Sequence, residues 1–260
     1  MSGRLRGGSI ITDRNRPTFL AHRKPRRLHT VVGEALRRRR YRRAYSPDVI
    51  DIDWARLPYN RIAVVNLLLA VAGGDSYLEI GCDADLLFKA VMAARKTGVD
   101  PRQGGTHRQT SDAWFEENPG ARFDVIFIDG LHTYAQVHRD LANALKAARP
   151  GGFVGLHDML PRDWIEEHTP KISSSRWTGD GWKCAFELMA TPGVDFRLFA
   201  LDHGVGVVRI LDEQPALVDL GRELAGERFA YFHRRYGELP VVNFQTGRDW
   251  VEANADQPAG

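Results

Sequence analysis

Apolar residues occupy nearly every position of two short stretches, Phe123-Asp124-Val125-Ile126-Phe127-Ile128 and Gly152-Phe153-Val154-Gly155-Leu156. Near-continuous apolar runs of this length are the mark of strands buried on both faces. Each run stops at a polar tip, Asp129-Gly130-Leu131-His132 in the first case and His157-Asp158 in the second. Between them Val137, Leu141 and Leu145 recur at helical spacing, which predicts a strand, a crossover helix and a parallel neighbouring strand. The same reading predicts a helix from Pro58, with Ile62, Val65, Leu68, Leu69 and Ala72 on its apolar face and Gly73-Gly74 at its end. Tyr77–Ile80 then reads as a first strand entering the turn Gly81-Cys82-Asp83, followed by a helix over roughly Ala84–Arg95. Gly98–Pro101 ends a second strand, and Gln103–Thr110 is assigned to a short third one. A helix is expected near Cys184–Ala190.

Phe196–Leu201 and Val205–Ile210 are separated only by Asp202-His203-Gly204. A parallel crossover needs a dozen or more residues, so this pair must be an antiparallel hairpin. The predicted fold is therefore α/β and Rossmann-like, a mostly parallel sheet ending in an antiparallel strand. Beyond it, a helix around Leu217–Tyr236 and a short apolar run, Leu239–Val242, complete the pattern. No internal repeat is visible.

Charge divides the chain. Residues 1–43 carry fourteen Lys and Arg against Asp13 and Glu34, which leaves 22 basic and 31 acidic residues of the 36 and 33 in the whole. The expected organisation is a basic, largely disordered leader (1–44), an α/β domain (45–212) and a C-terminal helical extension (213–260). Thr30–Tyr45 reads as a short basic helix, and Ser46-Pro47-Asp48 as a helix start or turn. No apolar run approaches the roughly 20 residues of a membrane span, and the arginine-rich start lacks a secretory signal's apolar core. Cys82 and Cys184 are too few for a disulfide framework or a zinc cage, so a cytoplasmic protein with reduced thiols is expected.

Ligands of open α/β sheets bind beyond the carboxyl ends of the strands, where the acidic tips fall. Glu79 and Asp100 lie one strand–helix–strand unit apart, and an acid at the second tip can accept hydrogen bonds from ribose hydroxyls. The plain alternative is that Asp100 caps a proline-containing turn. Adjacent strands lie about 4.8 Å apart, so Asp129 and Asp158 could share a divalent cation, and His132 is near enough to take a proton from a polarised hydroxyl. The plain alternatives are a helix cap and a surface imidazole. Trp177-Thr178-Gly179-Asp180-Gly181-Trp182-Lys183 reads equally well as a substrate lid and as a loop packed on the core.

Tyr77-Leu78-Glu79-Ile80-Gly81, Asp100, Ser111-Asp112, Phe123–Asp129 and Arg149-Pro150-Gly151-Gly152 together resemble the motifs of class I S-adenosylmethionine (SAM) dependent methyltransferases. That resemblance covers roughly Tyr77 to Ile210 and implies a seven-stranded sheet whose last strand is inserted antiparallel. It implies cofactor binding by Glu79, Gly81, Asp100, Ser111, Asp112 and Asp129. Ile128–His132 with Leu156–Asp158 is most similar to metal-dependent O-methyltransferases acting on macrolide sugars and to their uncharacterised bacterial relatives. By that likeness Asp129 and Asp158 bind Mg2+ or another divalent cation, and His132 is the base. His157 stands where the sugar enzymes have an acid, and is the candidate third ligand. One departure stands out: the first loop, Gly81-Cys82-Asp83-Ala84-Asp85, has one glycine where the family has several.

The expected function is methyl transfer from SAM to a hydroxyl of a small molecule, a sugar or glycoconjugate precursor among the candidates. Two alternatives stay open: an RNA methyltransferase gripping its substrate with the basic leader, and a non-catalytic binding protein on the same scaffold. A nicotinamide oxidoreductase is disfavoured by the missing G-x-G-x-x-G and by the terminal hairpin. Nucleic acid is a less expected partner than a small molecule, and homo-oligomerisation is left open.

Overall fold

The computed structural model describes residues 28–253 apart from Ser174; the rest of the basic leader and the last seven residues lie outside the described residues. The described residues open with helix α1 (Leu28–Arg40) and a 3-10 turn at Arg42–Ala44, where a basic helix is expected. Ser46-Pro47-Asp48 forms a turn in which the Asp48 N–H donates to the Ser46 hydroxyl. Helix α2 (Arg61–Ala72) follows, with the Asn60 side chain accepting from the Ile62 N–H at 3.0 Å as its N-cap.

The sheet strands are β1 (Ser76–Ile80), β2 (Arg95–Val99), β3 (Phe123–Ile128), β4 (Ala148–Leu156), β5 (Val194–Phe199), β6 (Val205–Ile210) and β7 (Val241–Val242). Their order across the sheet is β2-β1-β3-β4-β6-β5-β7. Strands β1 to β4 pair in parallel, and β6 is inserted antiparallel to both β4 and β5. This is the topology that the strand-tip pattern and the Asp202–Gly204 turn predict. Between the strands lie α3 (Leu86–Ala90), α4 (Ser111–Glu117), α5 (Tyr134–Ala147), α6 (Trp164–Glu167), α7 (Lys183–Ala190), α8 (Gly221–Leu224) and α9 (Phe229–Arg235), and α10 (Phe244–Ala253) follows β7.

Alternation along each strand sends side chains to two cores. Leu78, Ile80, Ile126 and Ile128 pack with Leu141 and Leu145 of α5 on one face. Tyr77, Val125 and Phe127 pack with Val64, Val65 and Leu68 of α2 on the other. Helix α10 covers α2 in turn, with Phe244 stacked on Tyr59 at 3.8 Å between ring centroids.

The third strand is where expectation and structure part. Gln103–Thr110 contributes a single parallel bridge, His107 to Val99, because Gly104 and Gly105 both adopt left-handed backbone and turn the chain back over the first loop. Seven strands are still reached, because the apolar run at Leu239 supplies β7 on the far edge, parallel to β5. Two helices are also shorter than their patterns suggest. The one expected over Ala84–Arg95 stops at Ala90, since Arg95 is already paired with Ser76 in the sheet. The one expected over Leu217–Tyr236 is split into α8 and α9 around Gly226, a poor helix residue. Helix α10 has no counterpart in the sequence reading.

The order reverses between β1 and β3, which places a crevice beyond their carboxyl ends.

Candidate active site at the carboxyl edge of the sheet

That crevice is a cavity of about 810 Å³. Every residue expected to bind the cofactor lines it: Glu79 and Gly81 at the end of β1, Asp100 at the end of β2, Ser111 and Asp112 opening α4, and Asp129 at the end of β3. The glycine-poor first loop keeps a left-handed backbone by other means. Gly81, Asp83 and Asp85 have φ of 85°, 44° and 61°. Aspartate tolerates that region better than most residues, because its short side chain hydrogen-bonds locally. Asp83 accepts from the Gln103 amide at 2.5 Å, and Asp85 accepts from the Gly105 N–H at 2.7 Å. The two acids tie the loop to the turn after β2.

Asp100 fills the capping role foreseen for it. Its carboxylate accepts from the backbone N–H groups of Arg102 (2.7 Å), Gln103 (3.0 Å) and Asp83 (3.1 Å), so it is a turn cap. A carboxylate has about four acceptor positions, which leaves one for a ligand hydroxyl. Burial works against the charged form, but these three donors hold the carboxyl below its ordinary range. The Ser111 hydroxyl turns inward instead of toward a ligand, donating to buried Asp140 at 2.6 Å. Gln136 bridges Asp140 and Asp112 from the next helix. Burial pushes Asp140 up to about 6.

Glu79 accepts from the Tyr77 hydroxyl at 2.6 Å and is pushed up to about 8, chiefly by burial, with Asp129 adding to the shift and Arg61 opposing it. In the unfolded chain it ionises near 4.5, so the folded state binds the extra proton between those values and loses relative stability as pH rises through that window. Glu79→Gln should therefore melt above the wild type, by a margin that widens from about pH 5 to about pH 8. A margin that is constant or shrinks across that range in thermal melts would show that the carboxyl ionises normally.

At the ends of β3 and β4 the expected trio does converge. His132 Nδ1 lies 2.7 Å from Asp158 Oδ2, and its Nε2 lies 3.9 Å from Asp129 Oδ1. The short contact assigns the ring proton to Nδ1, leaving the Nε2 lone pair on the Asp129 side. His132 and Asp129 line the cavity, while Asp158 stands behind them. Asp158 holds a left-handed backbone at φ 58°, unusual outside glycine and often found where function fixes geometry. His157 Nδ1 sits 3.0 Å from Asp129 Oδ1 and 3.4 Å from Asp158 Oδ1, tying the two carboxylates together.

Arg61, Asp202 and His203 complete the cluster, and none was foreseen. Asp202 caps α2, accepting from the Arg61 N–H at 3.0 Å, and its carboxylate lies 3.7 Å from Arg61 Nε. Arg61 Nη1 reaches Asp129 Oδ2 at 3.3 Å and lies 2.7 and 2.5 Å from the two ring nitrogens of His157. A signal for Asp202-His203 was present, since the hairpin turn is a third acid–imidazole tip on the same sheet edge. Nothing local marks Arg61, which is simply the first residue of an apolar helix.

The charges set one another. Burial works to raise Asp129 and Asp158, but His157 with Arg61 holds the first below the carboxylate range, and His157 with His132 holds the second there. Burial and Arg61 work to lower His157, yet Asp129 and Asp158 carry it up to about 10. Burial likewise opposes a charge on His132, and Asp158 outweighs it, so this imidazole holds its proton above the usual 6.5.

The tryptophan segment divides its two roles. Trp182 is fully buried core, whereas Trp177 lines the cavity with its ring 5.2 Å from His132 and Lys171 Nζ 5.2 Å above it. Gly179 brings the segment onto His132 itself, because a Cβ there would meet the His132 carbonyl oxygen at 1.8 Å. The Asp180 N–H donates to that carbonyl.

A family model described as a methyltransferase domain matches residues 30–159, half of the 260. The chain belongs to this methyltransferase family. Its topology is that of the class I methyltransferases, as the motifs implied. No curated protein matches. Among solved structures, the MycE methyltransferase of the mycinamycin biosynthetic pathway, in complex with Mg, SAH and mycinamycin VI, is 18% identical over 57% of this chain and 46% of its own, with a TM-score of 0.34. An O-methyltransferase from Bacillus cereus in complex with SAH is 14% identical over 72% and 92%, at a TM-score of 0.44. The Podospora anserina methyltransferase PaMTH1, also SAH-bound, is 16% identical over 69% and 88%, at 0.42. This chain spans about half the length of the mycinamycin enzyme, and likenesses so distant assign no residue a role.

Two ligands are implied by such a family, and the residues fit them unequally. A nucleoside-sized ligand fits the cavity, whose volume is ample and whose lining includes Gly81. For a divalent ion, Asp129, His132 and Asp158 each present one donor atom within 4.8 Å of the others. Yet the Nδ1 of His132 and one oxygen of Asp158 are spent on each other, and both oxygens of Asp129 face cationic partners, His157 on one side and Arg61 on the other. As arranged, the donor set does not fit an ion.

Proposed function

We propose that this methyltransferase uses SAM to methylate a hydroxyl of a small molecule, with His132 as the general base. The observation that carries the reading is the Asp158–His132 hydrogen bond at the rim of the cavity that Glu79, Gly81 and Asp100 line. Bound SAM would supply an electrophilic methyl group on a positively charged sulfur. Asp100 would accept from the ribose hydroxyls through its remaining acceptor position, and Gly81 would let the ligand approach the loop backbone. Asp158 fixes the imidazole so that Nε2 can accept the hydroxyl proton as the oxygen–carbon bond forms and the sulfur leaves as a neutral thioether. Trp177 and Lys171 wall the acceptor side, an aromatic face and a cation that suit a sugar or glycoconjugate precursor.

A cytoplasmic location is part of the same proposal, supported by two buried free cysteines. No helix among the described residues is long and apolar enough to cross a membrane.

Isothermal titration of the full chain with SAM and with its demethylated product is expected to show one site of about micromolar affinity for each. Absence of heat for both at about millimolar ligand would end the reading.

A further inference from the structure

We infer that Arg61 is a built-in cation: it supplies, at the rim of the site, the fixed positive charge that a bound divalent ion supplies in metal-assisted transferases. The inference rests on the methyltransferase reading for its purpose, and on the geometry alone for its placement.

Arg61 is held from both ends. Its N–H donates to Asp202, its Nε lies 3.7 Å from the same carboxylate, and its Nη1 lies 3.3 Å from Asp129 Oδ2. Asp202 comes from the hairpin turn and Asp129 from the end of β3, so two separate elements fix one guanidinium. Its side chain is 14% exposed, and it lines the cavity. A guanidinium stays charged at any working pH, so this positive charge does not come and go. It also stands beside the one carboxylate, Asp129, that both the cavity and any ion at the three-donor group would share. A divalent ion placed among Asp129, His132 and Asp158 would meet a like charge on its own ligand. Arg61 and the ion are alternatives.

The chemistry that this serves is simple. As the acceptor oxygen loses its proton to His132 Nε2, negative charge builds on it beside Asp129. Asp129 alone would repel that charge. Arg61 on one oxygen of Asp129, with His157 on the other, offsets that repulsion, and both are fixed groups that need no reorganisation during the reaction. Arg61 is a positioning residue in this scheme, acting on the acceptor through Asp129.

The test is a titration of Mn2+, the metal alone, into the full chain and into Arg61→Met, read by the electron paramagnetic resonance signal of the free ion. The wild type should leave the signal intact up to about 1 mM, while Arg61→Met should bind one ion at least about tenfold more tightly. In assays, chelator should not change wild-type turnover, and Arg61→Met should lose about 10²–10³ in kcat with little change in acceptor KM. Arg61→Lys should restore part of that loss and still exclude Mn2+. Stoichiometric Mn2+ binding by the wild type below about 0.1 mM overturns the inference. So does a folded Arg61→Met that gains no binding. If that variant does not fold, the wild type and Arg61→Lys decide the question between them. Titration with SAM runs separately: its failure would remove the methyltransferase reading and leave the Mn2+ result standing.

Discussion

Replacing His132 with glutamine is expected to lower kcat by about 10²–10⁴-fold, the range over which a positioned general base accelerates proton transfer. Glutamine keeps a polar group near Asp158 but cannot take up a proton, so binding of SAM should survive while turnover does not. The pH profile carries the same information with a sign. Asp158 favours the protonated imidazole, against burial, and holds His132 above its ordinary 6.5. The neutral form is the base, so kcat should climb as pH rises through a value above 6.5 and level off beyond it. Asp158→Asn removes the partner that favours the proton, so the limb should move to lower pH even as the imidazole loses its orientation. His132→Gln with more than about a tenth of wild-type kcat would exclude this residue as the base.

Gly81→Ala should severely damage the first loop of the site. At φ 85° the backbone is one that L side chains rarely adopt, and the added Cβ would meet the Asp129 carbonyl oxygen at 2.2 Å and its carbon at 2.6 Å. Both are backbone atoms at the end of the neighbouring strand and cannot rotate aside. Left-handed strain of about 1–2 kcal/mol and overpacking of about 1–3 kcal/mol add to a loss of about 2–5 kcal/mol. For a chain of this size that is a fall of about 5–15 °C in Tm, together with loss of SAM binding as the ends of β1 and β3 are pushed apart. Gly120→Ala is the matched control, because nothing lies within 4 Å of its Cβ position. A Gly81→Ala protein that melts within about 2 °C of wild type would show that the loop is softer than its geometry implies.

How far the sequence carried can be seen residue by residue. Phe123–Ile128 was legible to its ends because a strand covered on both faces is apolar nearly throughout, here at every position but Asp124, and its polar tip marks where cover stops. The hairpin was legible because three residues cannot cross a sheet. By the same logic the trio of Asp129, His132 and Asp158 could be brought together before any coordinates, since neighbouring parallel strands end side by side. What stayed hidden depends on distant partners. Ser111 faces Asp140, 29 residues away, and Arg61 faces Asp202, 141 away, and neither pairing leaves a local pattern. The third strand failed for a different reason: Val99 has a partner at His107, but Gly104 and Gly105 take up left-handed backbone, which glycine adopts without strain, and leave the sheet at once.

Gly179 has a mechanical consequence. With no room between its α-carbon and the His132 carbonyl, the segment that bears Trp177 and the turn that bears the imidazole form one block, pinned further by the Asp180 N–H. Trp177 is moored in turn to the His168 carbonyl, and the His168 ring rests on Tyr41 beside the arginine-rich helix. A displacement of Trp177 is therefore expected to carry the His132 turn along with it.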